Sequence, residues 1–517
     1  MVYQLKLLFA VSILSLLTAL IAWPAFRNLL SKAQYRTAWT IVGLAAAVSF
    51  LSRYTSIYFV GVAVTAFAAY KMLGGDLRAR VSAFLMLIML FPPVTQSLDG
   101  VGEINHLFIL DHVRTLSLVL FVPAAFQILM RRRVDNENPF RSVDLFLVAY
   151  KGLELILMFR NISYTAAIRF VFESFTMVLL PYYVMTRGLR SIADLKFAAT
   201  YLMIGFVFMA GIGVGESVTQ HSMYAPLSYI YNVKWQLTHE LMRGGLLRVQ
   251  STTPEPIGLA TLMIAALGTW TWLAGADWRR PRSLVIYGLI LCAMASTWSR
   301  GPWLGAAIFG TSLLASRICS SRVYIGGLLG AALVCVIAKM TGADQHFYDF
   351  LKSIFGSSQS EFGSIEYRRE ILDASIALIQ QSPLLGVSNY AAYLQQFRQG
   401  EGIVDLVNTY IIVTLNTGLL GLSLFLAPQL IVLFKLASRL DSPVKDEPHD
   451  LFVGCFASIL LAISCVLLTT SFVGVMEQIL LACVALPLVY IRYRNDERLP
   501  SPAKLSHPIP AFGQYGR

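Results

Sequence analysis

The sequence predicts an all-α, polytopic integral membrane protein with roughly 12–15 transmembrane helices and two long loops on one face. Three observations carry that expectation. Of 517 residues, 56% are hydrophobic and only 14% charged, with a mean hydropathy of +0.64; ordinary globular chains are about 45–50% apolar and about 25% charged. Apolar runs recur along nearly the whole length, close to what a bilayer crossing requires. The basic residues fall in short clusters on alternate links between those runs, as orientation signals do. The net charge of +12 is spread through these clusters and not gathered on one face or tail, so nucleic acid is not an expected partner.

A hydropathy window of about nineteen residues places the first eight spans near 4–23, 38–52, 55–72, 82–95, 106–130, 142–159, 165–186 and 196–214. The first of these carries one lysine near its start and no small-residue cleavage site after it, so it reads as a span and not a removed signal. Four more lie near 256–275, 284–298, 303–316 and 323–340, and the last three near 407–434, 451–471 and 475–491. The chain thus divides into an N-terminal bundle (1–215), a first loop (216–254), central spans (255–340), a large second loop (341–406), C-terminal spans (407–492) and a tail without ordered structure (493–517).

Links bearing Arg27, Lys32 and Arg36, then Arg78 and Arg80, then Arg131, Arg132, Arg133 and Arg141 belong on the cytoplasmic side by the positive-inside rule. So do those bearing Arg187, Arg190 and Lys196, then Arg279, Arg280 and Arg282, then Arg317 and Arg322. They alternate correctly through every span. The N-terminus and both long loops are then outside and the tail inside. The six cysteines lie in or beside apolar runs and the seven histidines are scattered, so neither a disulfide framework nor a metal site is expected.

The link around Arg300 runs against the charge rule. Ser299-Arg300-Gly301-Pro302-Trp303 joins two spans on the outer face, where a cation is disfavoured. A charge kept there either holds a ligand or snorkels to headgroup phosphates. In the second loop, a helix capped by Ser364 and starting near Ile365 is expected to run to Pro383, with Ile371, Ser375, Leu378 and Ile379 on one face. It would lie on the membrane surface, cross a cavity mouth or pack on neighbouring spans. Within the spans, Lys151 and Glu154, and Arg169 and Glu173, are spaced to pair along one helix face, or else to line a polar pathway.

The first loop ends in Arg243-Gly-Gly-Leu-Leu-Arg248 and then Pro254-Glu255-Pro256-Ile-Gly258 at the mouth of a span. Arginine forks suit phosphate oxygens, and a carboxylate beside them can act as general base for a sugar hydroxyl. Glu255 can equally be a helix-start acid stabilised by the macrodipole. Arg248 to Gly258 resembles the Arg…Glu-Pro…Gly segment of some exopolysaccharide polymerases. Trp298-Ser-Arg300-Gly-Pro-Trp303-Leu-Gly305 is similar to the Ser-Arg-Gly-x-Trp-Leu-Gly motif of the O-antigen ligase and Wzy-type polymerase superfamily. Tyr367-Arg368-Arg369, Ser382-Pro383-Leu-Leu-Gly386, Asn408-Thr-Tyr410 and Thr417-Gly418-Leu-Leu-Gly421 resemble further segments of it.

The resemblance covers about Arg243 to Leu422. It implies a glycosyltransferase of the bacterial inner membrane, working at the periplasmic face without metal, cofactor or nucleotide sugar. An undecaprenyl-diphosphate-linked oligosaccharide would be donor, membrane lipids the surroundings, and chain-length regulators or export proteins further partners. Carried over by motif, Arg248, Arg300 and Arg368 would grip the diphosphate, with Arg243, Arg369, Trp303, Asn408 and Tyr410 binding substrate. Val407 and Asn416 stand where the ligase pattern has His and Glu. Glu255 is then the preferred base, ahead of Glu366, Asp405 and His239. The expected activity is a polymerase of lipid-linked repeat units, with an O-antigen ligase acting on lipid A-core or protein as alternative; a flippase of lipid-linked sugars is the reading from another class.

Overall fold

Each of the fifteen apolar runs is centred on a helix in the computed structural model, which describes residues 2–100, 106–131, 140–160, 164–232, 240–341, 359–398, 404, 406–440 and 447–496. The first half contains α1 (Val2–Phe26), α2 (Lys32–Leu51), α3 (Thr55–Met72) and α4 (Leu77–Leu90). A hairpin, β1 (Thr95–Asp99) and β2 (His106–Asp111), leads into α5 (His112–Met130), α6 (Arg141–Met158), α7 (Thr165–Gly188) and α8 (Ile192–Thr219). After a two-residue-stranded hairpin, β3 (Met242–Arg243) and β4 (Leu246–Leu247), come α9 (Pro256–Ala274), α10 (Pro281–Ser296), α11 (Arg300–Ile318) and α12 (Ser321–Thr341). Then follow α13 (Gln359–Gln381), α14 (Thr409–Ala437), α15 (Glu447–Val466) and α16 (Met476–Asp496).

The chain is an all-α polytopic membrane protein. Among the described residues, eight helical segments are both long and apolar enough to cross a membrane: α1, α3, α5, α7, α8, α9 extended to Arg279, α14 and most of α16. Shorter apolar stretches, α10 and Leu451–Val466 of α15, pack into the same bundle. The expected span over 106–130 starts late: residues 106–111 pair with 95–99 as an antiparallel hairpin, and the helix begins at His112 with Asp111 as its cap. The centre is α8, 89% buried along its apolar window, against 28% for α1 at the rim. In α5 and α7 a π turn (Ser117–Phe121, Phe175–Leu179) precedes Pro123 and Pro181, because a proline has no N–H for the regular ladder.

The basic links meet at one end of the bundle. Asn28, between α1 and α2, donates to Asp277 at 3.3 Å, and Arg78 of α4 is 3.7 Å from Asp194 of α8. Arg187 pairs with Asp144, and Arg282 and Arg280 both pair with Asp277. Arg132, Arg133 and the end of the tail lie outside the described residues.

Lys151 and Glu154 form the expected pair at 2.9 Å. Glu173 takes Arg114 of α5, at 2.7 Å, so this acid ties α7 to a distant helix. In the second loop, α13 starts earlier than Ile365; Ser364 and the Glu366 side chain are not described. Ile371 and Leu378 pack with Leu394, Leu406 and Leu415, so α13 is bound to the first half of α14.

That contact joins two sequence motifs by their backbones. α14 breaks at Gly418 (φ +69°, ψ −171°). Leu419 and Leu420 lose their helical acceptors there and donate to the carbonyls of Pro383 (2.8 Å) and Leu384 (3.3 Å). The freed Leu415 carbonyl accepts from Val387 N–H at 2.7 Å. A Cβ at Gly418 would stand 2.2 Å from Leu384 backbone atoms, and one at Gly386 2.4 Å from the Leu415 carbonyl oxygen. A broken helix is tolerated in apolar surroundings when its backbone groups are satisfied by protein in this way. Arg160 adds a cap, donating to the Leu385 and Gly386 carbonyls at 3.2 Å each.

Candidate active site

The Arg300 turn lies at the end of the bundle opposite the basic links. α10 stops at Ser296; Trp298 takes a left-handed backbone (φ +52°), Ser299 is the N-cap residue and Arg300 opens α11. Pro302 falls in the first helical turn, where its missing N–H was unpaired in any case. Gly301 allows close approach, since a Cβ there would stand 2.6 Å from Thr469 Oγ1 in the link between α15 and α16. Trp303 donates to the Met294 carbonyl at 3.3 Å, and its ring lies 6.4 Å from that of Trp298. Both indoles and Arg300 are exposed.

Three successive carbonyls at and just beyond the end of α10, those of Ser296, Thr297 and Trp298, are each met from the first long loop. Val249 N–H donates to Ser296 O at 3.2 Å. Arg248 Nε donates to Thr297 O at 3.1 Å, and its Nη2 to Ser299 Oγ at 3.0 Å. Arg243 Nη1 donates to Trp298 O at 2.7 Å. Cations are favoured at a helix C-terminus by its dipole as well. Two arginines of the loop are therefore fastened to the turn that presents Arg300.

Glu216 anchors the same loop from beneath. It is fully buried near the end of α8. One carboxylate oxygen accepts from Met223 N–H (2.8 Å) and Ser222 Oγ (3.3 Å), the other from Gln250 N–H (3.1 Å) and Ser251 N–H (2.9 Å). Ser251 is held at φ +53° and Thr252 donates to the Met89 carbonyl at 2.7 Å. The chain is then delivered to Glu255, the N-cap residue of α9, whose half-buried carboxylate makes no capping hydrogen bond. By hydropathy alone Glu216 marks only the start of the first loop. The available signal was an acid at the end of a long apolar helix.

Electrostatics tie the second loop to this place. The Arg248 guanidinium is held below its ordinary pKa, by burial first and then by the charge of Arg243; Glu255 pulls it back up and Arg368 of α13 pushes it down. Arg243, Arg248, Glu255 and Arg368 thus share one neighbourhood, although 125 residue numbers separate the first from the last. Arg368 and Arg369 are exposed on α13, beside Tyr367, whose hydroxyl donates to the Phe397 carbonyl at 2.9 Å. With three cations against one carboxylate, the arrangement favours an anion carrying more than one charge.

Asn408 and Tyr410 have structural partners. Asn408 caps α14, its side-chain oxygen accepting from Tyr410 N–H (3.0 Å) and Ile411 N–H (3.1 Å). The Tyr410 hydroxyl donates to Ser464 O at 2.7 Å. Thr409 N–H donates to Leu467 O (3.0 Å) and Thr470 O (3.1 Å), so this segment braces the α15–α16 link on which Gly301 rests. His239 and Asp405 lie outside the described residues, as does the Glu366 side chain. Among the described residues no group of three or more His, Cys, Asp and Glu is placed to hold a metal ion.

Residues 285–426 match the Wzy_C family model, described as O-antigen ligase. The matched stretch takes in the Arg300 turn, α13 and the broken first half of α14; Arg243, Arg248 and Glu255 precede it. A search of curated proteins found no match. The family supports an O-antigen ligase or polymerase type of function and lipid-linked glycan substrates in a membrane.

Proposed function

We propose, with the O-antigen ligase domain over residues 285–426 as premise, that this protein is a polysaccharide polymerase. It would transfer undecaprenyl-diphosphate-linked oligosaccharide repeat units to an acceptor sugar hydroxyl at the periplasmic face. The observation that supports the reading most is the fastening of Arg248 and Arg243 to the Arg300 turn, with Arg368 and Glu255 in the same field.

In the reaction the bond between the donor sugar's anomeric carbon and the phosphate oxygen breaks, and the diphosphate leaves with the electron pair. The acceptor oxygen forms the new bond to the anomeric carbon. Negative charge grows on the leaving group, so cations already fixed in place lower the barrier. Arg248, Arg300 and Arg368 take that part, with Arg243 and Arg369 flanking. The acceptor proton passes to the Glu255 carboxylate, which has no capping role to give up. Trp303 offers an apolar face for a sugar ring beside Arg300.

Reconstitution with the lipid-linked oligosaccharide alone tests the reading. A ladder growing on the lipid is the expected result. Transfer only after addition of lipid A-core would make the protein a ligase. Passage across the bilayer with no new glycosidic bond would make it a transporter.

A further inference from the structure

We propose that the cleft between α10 and α11, at the end of the bundle away from the candidate active site, holds one anionic glycerophospholipid. The two helices are joined at the Arg300 turn and diverge from there. The cleft they leave is about 700 Å3. Its floor is the end of α9, where Thr271 Oγ1 accepts from the Tyr287 hydroxyl at 2.9 Å. Its walls are Leu284 and Leu291 on one side and Leu313 and Leu314 on the other. Gly310 opens onto empty space: a Cβ built there meets nothing within 4 Å. Protein side chains do not fill this slot, and an acyl chain matches both its shape and its chemistry.

The mouth of the cleft fixes the class of head group. Arg279 and Arg317 line it. The acid of this link, Asp277, is already taken by Arg280 (2.8 Å) and Arg282. Among the described residues no carboxylate lies within ion-pair distance of Arg279 or Arg317. Arg279 stacks over Trp278, 4.6 Å from the ring centroid, and that indole is 43% exposed, as suits the headgroup level. Two forks facing one slot can grip a phosphate, and basic pockets between helices are where anionic lipid heads bind. A zwitterionic head would bring its own ammonium towards two guanidinium groups, so the site discriminates by charge.

The test is lipid retention by the purified full-length protein, offered equimolar dioleoyl-phosphatidylglycerol and dioleoyl-phosphatidylcholine and read by native mass spectrometry. The wild type is expected to favour the phosphatidylglycerol by about thirtyfold, the scale of two arginine contacts near a lipid surface. Arg279→Ala with Arg317→Ala should lose the preference, and Lys at both positions should keep most of it. Gly310→Leu, which enters open space, should retain neither lipid while melting like the wild type. Equal retention of both lipids by the wild type would overturn the proposal. So would undiminished retention by Gly310→Leu, or displacement of phosphatidylglycerol by an equal concentration of undecaprenyl phosphate.

Discussion

Arg248 does two jobs that a lysine cannot combine. Its Nε and Nη2 hold two residues of the Arg300 turn, Thr297 and Ser299, whereas a lysine is a point charge without a fork. Arg248→Lys and Arg300→Lys should each lower polymerisation by about a hundredfold, the usual scale for losing a fixed transition-state donor, with smaller changes in donor binding. If Arg300→Lys and Arg300→Ala both polymerise like wild type, the arginine clamp is wrong. Glu255→Gln should abolish turnover and leave donor binding intact; full activity would remove it as the base. Glu216→Gln acts differently, because an amide must turn an N–H toward backbone donors. The cost of burying such a mismatch is about 1–3 kcal/mol, visible as a lower melting temperature.

At the scale of elements, the crossing of the Pro383–Gly386 turn over the break in α14 is the least tolerant feature described. Backbone meets backbone there, at a glycine on each side. Gly418→Ala or Gly386→Ala should remove most monodisperse protein from a size-exclusion profile. Arg160→Ala, which gives up only two long hydrogen bonds to carbonyls, should cost far less. The sequence showed both glycine motifs but not that they face one another. The same applies to α13, whose apolar spacing was legible, while its packing partner α14 was not. Amphipathic spacing states that a face is covered and does not say by what.

For the whole molecule, the alternating basic links predict sidedness. In a background without other reactive cysteines, Leu98→Cys in the first hairpin should react with an impermeant maleimide on intact spheroplasts. Ser320→Cys, in the link between α11 and α12, should react only after permeabilisation. The reverse pattern would turn the candidate site to the cytoplasm and end the polymerase reading. The ion pairs among Arg78, Asp194, Arg187, Asp144 and Asp277 show that these links do gather at one end.

Composition and periodicity determined the all-α polytopic fold and a helix within each of the fifteen apolar runs, and charge counted along the links singled out Arg300. Those properties come from local hydropathy and from charge counted link by link, both written in order along the chain. Tertiary structure decided the pairings. It gave Glu173 to Arg114, set Glu216 beneath the first loop, and fixed Arg243 and Arg248 on the end of α10 with Arg368 in their field. Each of these joins groups far apart in sequence, and it is the packing of helices, not the spacing of residues, that sets such distances.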